Sequence, residues 1–146
     1  MPTGCHTNTV DIKGRVIIPT KLRYGLGERI WLVMGLDRCL YIFTQEAWAD
    51  YKSKHINSLP VTDINARKLQ RVVLGHSNEL EIDRQGRINL PQILINYAGI
   101  EKDVVFLGCD DRIEVWDAAA YEKDMAPENL DLDKLMRSAT ETAGGD

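Results

Sequence analysis

The chain has 146 residues, 44% of them hydrophobic, which excludes a disordered polymer and leaves room for one ordinary domain or two very small ones. The net charge of −4 argues mildly against a polyanionic partner, but the charge is unevenly spread. Residues 1–30 carry five basic side chains against two acidic, 66–90 carry five against three, and 110–146 carry four against eleven. No apolar run approaches the roughly 18 residues of a membrane span, no secretory leader pattern opens the chain, and the three cysteines lack zinc-ligand spacing. The expectation is a cytoplasmic protein with no membrane contact, no metal and no other cofactor.

In chain order, Asn8 to Asp11 reads as a short strand and Lys13-Gly14 as a tight turn, the glycine supplying the positive φ such a turn needs. Arg15 to Ile18 follows as a second strand, with Val16 and Ile18 on one face and Arg15 and Ile17 on the other. Pro19 ends it and opens a short helix from Thr20 to Leu26. Two apolar strands come next, Ile30 to Met34 and Leu40 to Phe43. Thr44 is placed to cap a helix running to Asn57, and Thr62 a second one ending at Leu74. Ser58-Leu59-Pro60 separates the two helices, and Gly75 suits the stop.

The chain then repeats itself. Asp11-Ile12-Lys13-Gly14-Arg15-Val16-Ile17-Ile18-Pro19 and Asp83-Arg84-Gln85-Gly86-Arg87-Ile88-Asn89-Leu90-Pro91 share one pattern, D-x-x-G-R-apolar-x-apolar-P, 72 residues apart. Leu22 matches Leu94 and Gly27 matches Gly99. After a one-residue insertion, Gly35-Leu36-Asp37 matches Gly108-Cys109-Asp110. The second copy therefore repeats the strand at Glu79 to Asp83, the strand at Arg87 to Leu90 and the helix at Gln92 to Ala98. It also repeats the two apolar strands, at Val104 to Leu107 and Ile113 to Trp116. An acidic stretch follows, with a short helix over 130–138 and a frayed end at Ala143-Gly144-Gly145-Asp146. The expected division is a first repeat with its trailing helix at 1–57, a linker helix at 58–78, a second repeat at 79–125 and an acidic tail at 126–146.

The Asp and Arg of each motif lie four residues apart across the turn. Chemistry alone supports two readings equally. One is a cross-strand ion pair that holds the turn, and the other is an arginine oriented by an aspartate toward a phosphate or a base. Arg67, Lys68 and Arg71 read as a solvated helix face. Trp31, Trp48, Trp116 and Tyr121 read as core or subunit-interface residues. There is no Gly-rich phosphate loop and no nucleophile beside a His and Asp, so an enzyme is not expected.

The paired motifs, with Arg71-Val72-Val73-Leu74-Gly75-His76-Ser77 between them and Glu114-Val115-Trp116-Asp117 near the end, resemble the MraZ family over roughly residues 4–124. That resemblance implies an α+β fold of two tandem, pseudo-symmetric AbrB-like swapped-hairpin β-barrel repeats with connecting helices. It implies a transcription regulator associated with the nucleoid. The regulator would bind short direct repeats in double-stranded DNA upstream of the division and cell-wall gene cluster, its own promoter included. It also implies a ring-shaped homo-oligomer. Lys13, Arg15, Lys21 and Arg23, with Arg84 and Arg87 as a second set, then become candidate DNA contacts. Asp11, Gly14, Asp83 and Gly86 shape the turns. Because Gln85 stands where the first copy has Lys13, the first motif is expected to contribute more. An antitoxin-like protein that neutralises a protein partner is the rival reading.

Overall fold

The computed structural model describes residues 2–144; Met1, Gly145 and Asp146 lie outside the described residues, and with them the last part of the expected frayed end. The first repeat supplies β1 (Thr3–Thr9), β2 (Arg15–Ile17), α1 (Thr20–Arg23), β3 (Arg29–Met34), β4 (Leu40–Phe43) and α2 (Gln45–Tyr51), the last continued by a wider π-helical turn over Lys52–Ile56. After α3 (Ile64–Gly75), the second supplies β5 (Asn78–Glu81), β6 (Arg87–Asn89), α4 (Gln92–Ala98), β7 (Asp103–Cys109), β8 (Ile113–Asp117) and α5 (Ala118–Asp124). The chain closes with α6 (Leu132–Gly144).

Local chemistry accounts for most boundaries. The Thr44 side chain accepts the Ala47 amide and starts α2 as expected. For α3 the cap is Asp63 rather than Thr62, its carboxylate accepting the amides of Asn65 and Ala66. The helix α1 stops at Arg23 instead of Leu26. Tyr24 has already left helical space (ψ 122), and Gly25 and Gly27 follow with φ of 87° and 75°. β1 starts well before Asn8 although TGCHTNT has no apolar alternation, because it is held along its length by β7.

The two repeats are interleaved. β1 pairs antiparallel with β7 of the other repeat, and β5 pairs with β3, so each repeat lends its first strand to the other. β4 and β8 pair at the middle. The result is one six-stranded antiparallel sheet, β1-β7-β8-β4-β3-β5, which reads the same when the repeats are exchanged. β2 and β6 pair only with each other, in a separate two-stranded ribbon. The barrel expected from the resemblance is corrected here: no closed barrel is present among the described residues. β1 and β5 end the sheet as edges, and the three-residue ribbon strands, each followed by a proline, do not bridge them.

The sheet is covered on both sides, which is why β3, β4, β7 and β8 read as nearly unbroken apolar runs. Leu32, Leu40, Ile42, Val104, Phe106, Ile113 and Val115 face one layer, made by the ribbon (Val16, Ile18, Ile88, Leu90) with α1 and α4 (Leu22, Leu94). Val33, Tyr41, Phe43, Val105 and Trp116 face the other, where Trp48, Ile56 and Val73 close the core. Trp31, Trp48, Trp116 and Tyr121 all belong to this second cluster, Trp31 and Trp48 stacked with centroids 5.9 Å apart.

Leu22 and Leu94 are pseudo-equivalent and fully buried in one shared cluster. Truncating either to alanine is expected to cost about 2–5 kcal/mol, lowering the midpoint of a single cooperative urea transition. Two separable transitions, one untouched by each substitution, would mean that the repeats fold independently.

Candidate nucleic-acid interface

Each motif builds the same small loop. The Gly14 amide donates to the Asp11 carbonyl (3.0 Å) and the Asp11 amide to the Arg15 carbonyl (2.8 Å), which closes a three-residue loop of Ile12, Lys13 and Gly14. Gly14 takes φ 84° and Gly86 φ 81°, the left-handed position such a loop requires. The aspartate holds it from inside. One Asp11 carboxylate oxygen accepts the amides of Lys13 and Arg15, both at 2.9 Å, and the other accepts Arg15 Nε at 2.9 Å. Asp83 does the same for the amides of Gln85 and Arg87 (2.9 Å each) and for Arg87 Nε (2.8 Å).

The ion-pair reading of each Asp–Arg pair is present in the structure. The carboxylate is a turn clamp, and it also fixes the guanidinium through Nε, with Nη1 and Nη2 making no side-chain hydrogen bond among the described residues. The Arg15 amide donating to Asp11, followed by that residue's guanidinium and the Lys13 amide, holds the Asp11 carboxyl below its usual range. The Arg87 amide and guanidinium do the same for Asp83.

These loops flank the ribbon. Val16 lies opposite Ile88 and both are buried, so the outward face carries Arg15 opposite Asn89 and Ile17 opposite Arg87. The loops also lock onto the opposite repeat: the Ile18 amide donates to the Gly86 carbonyl (2.9 Å) and the Leu90 amide to the Gly14 carbonyl (2.8 Å). Arg23 lies directly over the second loop. A Cβ on Gly86 would come within 1.6 Å of Arg23 Nη1, so only glycine lets the guanidinium sit there. Its Nη2 donates to Thr20 Oγ1 (2.9 Å), while Nε is buried with no partner. At the pseudo-equivalent place, Ile95 lies over Gly14, 3.7 Å from a Cβ there.

Four of the six candidate basic residues, Arg15, Arg23, Arg84 and Arg87, line one open cleft beside the ribbon, with Glu28, Glu81 and Asp83 on its walls. Lys13 and Lys21 are exposed but lie outside that lining. Ile12 stands wholly in solvent at one loop tip, where the other loop has the exposed Arg84. Sequence reasoning put Ile17 on the face of Arg15 but did not single out Asn89 on that outward face, nor Asn8, whose side chain donates to the Ile17 carbonyl at 2.6 Å. No local signal marks them, since their position depends on pairing across the repeats. Among the described residues no group of three His, Cys, Asp or Glu could hold a metal ion. Cys39 is buried, Cys5 is exposed and Cys109 is half-buried. No described helix is long and apolar enough to cross a membrane.

Residues 1–72 and 73–140 each match the family described as "MraZ protein, putative antitoxin-like". Among curated proteins, the chain is similar to "Transcriptional regulator MraZ" of Acetivibrio thermocellus. The two are 44% identical over 132 residues, 90% of this chain and 92% of that protein. It is similar to the protein of the same name from Thermoanaerobacter sp. strain X514, 44% identical over 84% of this chain and 85% of that one. For the one from Caldicellulosiruptor bescii, identity is 40% over 97% of this chain and 98% of that protein.

A carboxyl whose pKa is lowered in the folded state adds stability that is complete above its ordinary value and lost as pH falls through the lowered one. The amide resonances of Lys13, Arg15, Gln85 and Arg87 should therefore hold steady from pH 7 down past 5. They should move only below the usual aspartate value of 3.8. Asp83→Ala should speed hydrogen exchange at the Gln85 and Arg87 amides while leaving those of Lys13 and Arg15 unchanged. Equal exchange at all four would remove the clamp.

Proposed function

The chain belongs to the MraZ family, and from that premise we propose that it is a DNA-binding transcription regulator that reads duplex DNA with the β2–β6 ribbon and its two loops. The observation that carries this reading is the outward pair Arg15 and Arg87, each guanidinium held at Nε by its own aspartate on a closed loop. Holding a guanidinium before the ligand arrives lowers the side-chain entropy lost on binding. A two-stranded ribbon fits the major groove, where an arginine can meet a guanine edge with two hydrogen bonds.

The remaining candidates divide by chemistry. In this reading Lys13, Lys21, Arg23 and Arg84 meet phosphates, which position a protein without specifying sequence. The two loop tips differ, Ile12-Lys13 against Arg84-Gln85, so the pseudo-symmetric halves present different groups to DNA. In this reading the sites are short direct repeats upstream of the division and cell-wall gene cluster, its own promoter among them. A ring-shaped homo-oligomer binds several repeats at once in the nucleoid. Linked contacts raise avidity without new chemistry, which offsets the unfavourable net charge of −4. The family description "antitoxin-like" favours a second reading, capture of a protein partner.

Fluorescence anisotropy with native and scrambled upstream repeats across a salt series tests the first reading. Specific binding should weaken steeply with salt. Arg15→Ala and Arg87→Ala should each lose about 1–3 kcal/mol of discrimination, Arg15→Ala the more. Lys13→Ala should weaken both DNAs alike and lower the salt slope by about one. Equal binding to native and scrambled DNA would sink the regulator reading in favour of a protein partner.

A further inference from the structure

The outward face of the ribbon is unequal at its two ends. At one end Arg15 lies opposite Asn89, and at the other Arg87 lies opposite Ile17. The repeat makes Arg15 equivalent to Arg87 and Ile17 equivalent to Asn89. The arginines therefore match while their cross-strand neighbours do not. Val16 and Ile88, between them, point into the core.

No packing contact or side-chain hydrogen bond among the described residues accounts for Asn89. Asparagine is depleted in strands, so strand preference does not explain it either. The side chain is exposed, and its amide keeps both a donor and an acceptor for an outside partner. Its Oδ1 comes within 3.4 Å of where a Cβ on Gly14 would stand, so the first loop's glycine leaves the amide its place beside Arg15. At the corresponding place over Gly86 stands the Arg23 guanidinium instead. Ile17 is 44% exposed and has only an aliphatic surface to offer.

We infer that Asn89 is a specificity-determining residue that reads an adenine beside the guanine met by Arg15, and that Ile17 leaves the other end of the ribbon without an adenine reader. The inference rests on the ribbon entering the major groove, as in the proposed function. There an asparagine amide complements adenine: its oxygen accepts from the N6 amino group and its nitrogen donates to N7. Guanine presents two acceptors to the same groove and would set one of them against the amide oxygen. Side chains directly opposite in an antiparallel pair have Cβ atoms about 5 Å apart. Base pairs stack about 3.4 Å apart. Arg15 and Asn89 therefore address neighbouring base pairs. Ile17 can make only apolar contact, for which a thymine methyl is the partner.

Competition anisotropy on the full chain tests this, using the upstream repeat and every single base-pair substitution of it. Arg15→Ala locates the guanine, as the base pair at which discrimination disappears. Wild type should prefer adenine at a base pair next to that guanine by about tenfold. Asn89→Ile should lose this preference alone and keep the salt dependence of wild type, because no phosphate contact is removed. Ile17→Asn should gain an adenine preference beside the guanine located by Arg87→Ala. Each substitution installs a residue that the ribbon already carries at the equivalent position, so circular dichroism should match wild type. If Asn89→Ile keeps wild-type preferences at every base pair while Arg15→Ala loses its guanine, Asn89 reads no base and the ribbon reading stands. Equal binding of wild type to repeat and scrambled DNA would overturn both.

Discussion

Everything at the candidate interface depends on the antiparallel contact between β2 and β6. Each ribbon strand is three residues long, too short to hold a register alone. It is fixed by Val16 against Ile88 below and by two reciprocal hydrogen bonds at the ends, from the Ile18 amide to Gly86 and from the Leu90 amide to Gly14. Those bonds tie each glycine loop to the opposite repeat. The loop places the arginine, the ribbon places the loop, and the buried layer under the ribbon places both. Neither repeat could present its arginine without the other.

Interleaving also redistributes chemistry between the halves. Counted along the chain, the first repeat looks the more basic. In space, Arg23 of that repeat covers the second loop, while Ile95 of the second repeat covers the first loop. Charge counted by sequence segment is thus pooled around a shared cleft. The backbone is close to two-fold symmetric, but the side chains at Lys21 and Ile93, Arg23 and Ile95, and Ile12 and Arg84 are not. A surface of that kind has a direction, because its two halves present different side chains.

The face of the sheet opposite the ribbon follows a different logic. Its inner side is an aromatic core, with Phe43, Trp48 and Tyr51 in mutual contact. Burial raises the Cys39 thiol well above its ordinary range, and desolvation pushes Tyr41 up to about 12. Neither group is ionised near neutral pH, consistent with packing roles. Outside that core lies α3, which carries Arg67, Lys68 and Arg71 and no acidic residue.

The sequence by itself determined the duplication, the glycine loops, the Asp–Arg spacing, the proline-ended ribbon strands and the apolar strands. It also placed Val16 and Ile18 on one face, which in the structure is the buried one. Each of these rests on chemistry acting within a few residues: a positive φ, a side-chain cap, a two-residue alternation. Only the tertiary structure decided that β1 joins β7 rather than its own neighbour, that the sheet stays open instead of closing, and that Arg23 lies over Gly86. Two repeats with the same local pattern carry no label for which partner a strand should take. That choice is made by the burial of side chains some 72 residues apart, and no window of sequence contains both sides of such a contact.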